Sequence, residues 1–175
     1  MSAMCPSPMN AAHFSTDIRE FIGLLHQHDV RYVIVGGEAV IFHGHARLTG
    51  DIDFFYEAST GNAERLYRAL SEFWHGRVPG IQAASDLLIP GIIFQFGRPP
   101  NRIDLMNTIT AIPFSEAWDT RVIAQTDIGD RQIPVHYLGA ACLIQNKRAI
   151  NRPKDVDDLE FLLEAFPDLN KPPIR

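Results

Sequence analysis

The sequence has little cysteine, no surplus of positive charge and no long apolar run, and each shortage excludes something. Only two cysteines occur in 175 residues, Cys5 and Cys142, and they form no CxxC pair. A disulfide framework or a cysteine zinc site is therefore unsupported. Sixteen Lys and Arg stand against 21 Asp and Glu, for a net charge of -5. A surface that coats nucleic acid broadly needs a basic footprint, which this balance disfavours, although a local basic groove stays open. No window approaches the roughly 18 apolar residues of a membrane span. Residues 1–12 lack the basic start and apolar core of a secretory signal. The expectation is a cytoplasmic protein with reduced thiols and no membrane partner.

What is present looks like an ordinary folded domain, with 46% hydrophobic and 21% charged residues. The length suits one domain better than two. We expect a loose tail over residues 1–14 and a single domain over 15–175. Asp17 is placed to cap a first helix, with Glu20 three residues on and Ile18, Phe21, Ile22 and Leu25 on one face. Residues 31–35 (RYVIV) read as a buried strand running into Gly36-Gly37, and residues 38–42 as the start of a helix. Residues 51–56 (DIDFFY) read as the next strand. An amphipathic helix over 62–74 follows, with Leu66, Leu70 and Phe73 inward. Residues 78–90 are ambiguous. Two hairpins are predicted, one pairing 92–96 with 102–106, the other pairing 122–126 with 132–135. Helices over about 138–149 and 153–166 close the chain, with Pro153 at a helix start, where its missing N–H costs little. This order predicts an α/β fold of the α+β type, a mixed sheet flanked by helices, too irregular to be doubly wound.

Three features carry chemistry. Gly36-Gly37 lies where a buried strand meets a helix. Glycines there allow close backbone approach to a ligand and leave helix N–H groups open to phosphate, but they also suit a tight turn. In Asp51-Ile52-Asp53 the two carboxylates share one strand face, about 7 Å apart at Cα. They repel one another, so a divalent cation between them is a natural explanation; a solvated strand end is the other. Asp104 is an acid in the apolar strand RIDLM, which requires a reason. Either its strand lies beside that of Asp51 and three carboxylates converge, or it pairs with Arg98 or Arg102.

Taken together, Gly36-Gly37, Arg47, Thr49, Asp51, Asp53 and a later strand carrying Asp104 resemble the nucleotidyltransferase superfamily with the polymerase-β-like core. The stretch GGEAVIFHGHARLTGDIDFF looks like the motif of small bacterial members, among them the AbiEii-type toxin enzymes. The ending KRAINRPKDVDDLEFL is similar to the tail of that group. The resemblance covers about residues 31–163 and implies a nucleotidyltransferase-like fold. It implies that Asp51, Asp53 and Asp104 bind Mg²⁺, with Asp104 helping to activate an acceptor hydroxyl. Gly36 and Gly37 would hold the triphosphate of an NTP donor, with Arg47 and Thr49 beside it and Lys147 reaching it from the first C-terminal helix. The acceptor would be RNA, protein or a small molecule, and an antitoxin or a second copy of the chain would be the partner. Arg152 and Asp155 read as an ion pair holding the last two helices. Two departures stand out. Many members have Gly-Ser where this chain has Gly36-Gly37, and Glu38 adds negative charge close to the expected triphosphate.

The other polar residues have plainer readings. His43 and His45 lack a third ligand at zinc-like spacing and suit a turn or a nucleotide-facing role. Trp74, Trp118, Phe94 and Phe96 suit core packing better than base stacking. Ser85, Ser115 and Cys142 have no general base at a recognisable spacing, so a hydrolase triad is unsupported.

Overall fold

A computed structural model describes residues 14–170. The expected N-terminal tail lies outside the described residues except for Phe14, which is buried with the core. Six strands form one mixed sheet: β1 (Tyr32–Val35), β2 (Asp51–Tyr56), β3 (Ile93–Phe96), β4 (Arg102–Met106), β5 (Val122–Ile128) and β6 (Arg131–Tyr137). Their order is β3-β4-β2-β1-β6-β5. β1 is antiparallel to β2, β2 parallel to β4, and β3–β4 and β5–β6 are the two expected hairpins. β1 sits centrally and is buried along its whole length, which explains its unbroken apolar run. The second hairpin is longer than predicted. Asp127 and Ile128 pair with Gln132 and Arg131, so the turn narrows to Gly129-Asp130.

Six helices accompany the sheet: α1 (Thr16–Gln27), α2 (Gly36–Phe42), α3 (Thr60–Phe73), α4 (Phe114–Asp119), α5 (Ala140–Ile150) and α6 (Pro153–Ala165). The cap of α1 is Ser15, whose Oγ accepts from the Ile18 N–H at 3.3 Å; Asp17 lies inside the first turn instead. The residue just before a helix is extended, and its side chain alone is placed to reach back to the open N–H groups. α2 starts at Gly36, two residues earlier than predicted. α4 is too short to show a periodicity and was not predicted. The ambiguous stretch contains a 3-10 turn, Ala84–Leu88, whose Leu87 is buried.

Alternation along β2 separates core from site. Ile52, Phe54 and Tyr56 face α1 and α3: the Phe54 ring meets Phe21 edge-on at 5.3 Å, and the Tyr56 hydroxyl donates to the Leu87 carbonyl at 2.9 Å. The opposite face carries Asp51, Asp53 and Phe55, the last packed on Phe114 of α4. Asn146 of α5 donates to the Thr110 carbonyl at 2.8 Å and anchors the segment after β4. Asn151, left-handed at φ 52°, ends α5, and Pro153 begins α6 two residues later.

Candidate active site

Parallel pairing of β2 with β4 sets Asp53 directly opposite Asp104 and Asp51 opposite Arg102. Oxygens of Asp51, Asp53 and Asp104 all lie within 4.8 Å of one another. Both expectations for Asp104 therefore hold at once: it joins the other acids, and it pairs with Arg102. The Arg102 guanidinium contacts Asp51 Oδ2 at 2.5 Å, and Asp104 at 2.8 Å through Nε and 3.0 Å through Nη2. Gln95 of β3 donates to the same Asp104 oxygen at 3.0 Å. Thr49 Oγ1 donates to the Asp51 backbone and carboxylate, both at 3.1 Å. The Asp53 carboxylate has no hydrogen-bond partner among the described residues. Burial, then the charges of Asp51 and Asp104, push its carboxyl up to about 7, against the pull of Lys154 and Arg102.

The double glycine fits this arrangement closely. Gly36 has φ +65°, and a Cβ there would lie 2.0 Å from Asp53 Oδ2. A Cβ on Gly37 would lie 2.9 Å from both Arg47 Nη2 and Thr49 Oγ1. The space that a serine would fill at Gly37 already holds a guanidinium and a hydroxyl. Glu38 is buried within α2.

These residues line a cavity of about 370 Å³, closed on its far side by Thr108–Thr110 and by Asn146, Lys147, Arg152 and Lys154. A larger groove of about 1000 Å³ lies between α1 and the tip of the second hairpin. Size does not identify the site here. Among the described residues, only the smaller cavity holds a cluster of potential metal ligands.

Lys147 lines the cavity, but its ammonium is buried and pairs with Asp155 at 2.7 Å and Asp158 at 2.8 Å. Arg47 also turns to Asp158, with contacts of 2.8 and 2.9 Å. The tie between α5 and α6 is thus Lys147–Asp155. Arg152 binds the same carboxylate at 2.7 Å from the start of α6 itself. Burial alone would raise Asp155, but hydrogen bonds from Arg152 and Lys147 outweigh it and hold its pKa at about 2. Lys154 is an exposed cation on the cavity wall that forms no ion pair among the described residues. It was legible as part of the Arg-Pro-Lys-Asp run, yet sequence reasoning chose Lys147 instead. Arg102 reads from the sequence as an alternative partner of Asp104 and not as a contact of Asp51. Its position two residues before Asp104, on the same strand face, was the available signal.

His43 contributes no metal ligand to this cluster. Its Nε2 meets the Leu138 carbonyl at 2.8 Å, and His45 stacks on Phe161. Trp118 is half-buried beneath two guanidinium groups, with Arg121 3.7 Å and Arg31 4.6 Å from its ring centre.

The donor set is hard oxygen, with one oxygen of each acid within 4.8 Å of the others, close to the span of about 4.2 Å between opposite ligands of one octahedral cation. The three carboxylates face one guanidinium, so negative charge is in excess. The residues thus fit a divalent metal. A mixed sheet that sets two strand acids against a third, beside a double glycine and a cleft edged with Lys and Arg, is the arrangement expected of a nucleotidyltransferase-type centre. Residues 15–163 match the family described as "Nucleotidyltransferase of unknown function (DUF6036)", and the chain belongs to that family. No curated protein matches it. No described helix is long and apolar enough to cross a membrane.

Proposed function

We propose that the protein is a Mg²⁺-dependent enzyme that transfers a nucleoside monophosphate from an NTP to a hydroxyl acceptor and releases pyrophosphate. The observation that carries this reading is the Asp53–Asp104 register, which aims three carboxylates into one cleft beside Gly36. Asp51, Asp53 and Asp104 would hold the metal. When bound, Mg²⁺ would supply charge neutralisation on the phosphates and a more acidic acceptor hydroxyl.

The chain's own groups do the rest. Gly36 and Gly37 leave room for the triphosphate against the backbone, and Thr49 fixes the orientation of Asp51. Lys154 and Arg152 edge the cleft where the β- and γ-phosphates would lie. Lys147 and Arg47 shape that wall through Asp155 and Asp158. The acceptor oxygen attacks the α-phosphorus, the bond to pyrophosphate breaks, and the hydroxyl proton passes to the carboxylate cluster, in the role that the family resemblance gives to Asp104. Such chemistry depends on positioning and charge more than on covalent help. The acceptor is a hydroxyl on RNA, protein or a small molecule in the cytoplasm, and a toxin–antitoxin setting is in keeping with the sequence motif.

The test is thermal unfolding with each of the four NTPs, with and without Mg²⁺, against the Asp51→Asn, Asp53→Asn double variant. A ligand at about 100 times its dissociation constant adds about 2.7 kcal/mol of stability. A Mg²⁺-dependent rise with at least one NTP, absent from the variant, is expected. No rise with any NTP would refute the reading.

A further inference from the structure

Three of the roughly four lone-pair sites of Asp104 are already engaged. Its Oδ1 accepts from Arg102 Nε at 2.8 Å, and its Oδ2 from Arg102 Nη2 and Gln95 Nε2, both at 3.0 Å. Asp51 is engaged in the same way, Oδ1 by Thr49 at 3.1 Å and Oδ2 by Arg102 at 2.5 Å. A metal ligated by all three acids would therefore bring further positive charge onto oxygens that Arg102 already occupies. The guanidinium and the cation compete for the same oxygens. Arg102 is not walled in, since 29% of its side chain is exposed. It lines the same cavity as Arg152 and Lys154.

We infer that Arg102 is an exchangeable stand-in for the divalent cation. It bridges Asp51 and Asp104 without the metal, leaves them when the metal enters, and moves to a phosphate of the incoming nucleotide. This inference rests on the nucleotidyltransferase reading above. Its physical basis is charge matching at both stages. Without the metal, three clustered carboxylates need a cation to limit their repulsion. With the metal in place, the arginine is surplus there, and a triphosphate offers it planar, bidentate acceptors. The consequence is a built-in order. Metal entry frees the arginine that the nucleotide needs, so the two ligands favour each other beyond their direct contact.

The experiment is calorimetric titration of the full chain with Mg²⁺ alone, followed by a non-hydrolysable NTP analogue at saturating Mg²⁺. Wild type is compared with Arg102→Gln and Arg102→Lys, each first shown to unfold cooperatively. Arg102→Gln is expected to bind Mg²⁺ alone about fivefold to tenfold more tightly and the analogue about tenfold more weakly, a coupling within the usual allosteric range. Arg102→Lys keeps a cation and is expected to fall between the two. A fixed structural clamp would not produce these opposite signs. If Arg102→Gln binds Mg²⁺ no better than wild type, the exchange is overturned while the enzyme reading stands. If wild type binds neither Mg²⁺ nor the analogue, both are overturned.

Discussion

Two acidic clusters, one on the sheet and one between α5 and α6, are balanced in opposite ways. At the sheet, Asp51, Asp53 and Asp104 face a single guanidinium, and Asp53 is pushed up to about 7, first by burial and then by its neighbours' charge. Between α5 and α6, Asp155 and Asp158 face Lys147, Arg47 and Arg152, and Asp155 is held at about 2 because hydrogen bonds from Arg152 and Lys147 outweigh its burial. Burial opposes ionisation in both places. Only the helical cluster offsets it within the chain. A cluster that balances its own charge holds helices together, whereas one left with surplus charge is prepared for a cation from outside.

The largest effect should come from breaking the balanced cluster. Lys147→Met removes the cation between Asp155 and Asp158 and leaves buried carboxylates without it. Uncompensated buried charge of this kind costs about 3–5 kcal/mol. Urea unfolding at neutral pH should show that loss, and a cost below about 1 kcal/mol would mean that the helical cluster does not hold the fold.

Gly36→Ala comes next. It places a methyl group 2.0 Å from Asp53 Oδ2 at a positive φ. A loss of about 1–3 kcal/mol is expected, together with the loss of any Mg²⁺-dependent nucleotide shift. Normal melting with the shift intact would break the proposed link between that glycine and Asp53.

The two clusters should also differ in the sign of their pH dependence. Between the ordinary carboxyl value of 3.8 and about 7, folded Asp53 keeps a proton that the unfolded chain has released. Its contribution to stability is full below 3.8 and is lost as pH rises through 7. Asp155 behaves in reverse: its contribution is present above 3.8 and is lost as pH falls through about 2. Asp53→Asn should therefore stabilise the metal-free protein at pH 8, by about 1–2 kcal/mol after allowing for solvent screening, and have little effect near pH 4. Melting curves of both proteins at the two pH values decide this, and equal changes at each would contradict the surplus-charge account.

The smallest stability effect is expected at Lys154, which is exposed. Lys154→Ala should stay within about 0.5 kcal/mol of wild type. It should nevertheless weaken Mg²⁺-dependent binding of a non-hydrolysable NTP analogue by about tenfold, or about 1.4 kcal/mol. Unchanged binding would remove Lys154 from the phosphate-binding wall.

Much of this architecture was legible in the chain. The unbroken apolar run of β1, the alternation of β2 and the two glycine-containing hairpin turns are local patterns, and each appears within a few residues of its predicted place. The cap of α1 was misassigned because Ser15, Thr16 and Asp17 are all good capping residues, and only the backbone angles choose among them. α4 escaped because six residues are too few to display a helical period. At the site, the acids and glycines were readable because their chemistry is costly without a purpose. Lys147 and Arg47 were expected beside phosphate because the family resemblance implies it. The structure turns both toward Asp158, a partner far along the sequence that no spacing rule could reveal.

The sequence by itself determined the ingredients: a mixed α+β domain, a strand with two same-face aspartates, a third acid in an apolar strand, and glycines where backbone and ligand must meet. These follow from periodicity, side-chain volume and the cost of burying charge, all of which act over a few residues. Tertiary structure decided which ingredients meet. The parallel register of β2 on β4 set Asp53 opposite Asp104 and Arg102 between the acids, and the packing of α5 on α6 neutralised Asp155. Charge acts through space, so whether a buried acid becomes part of a scaffold or part of a site depends on which cations the fold brings within a few ångströms of it.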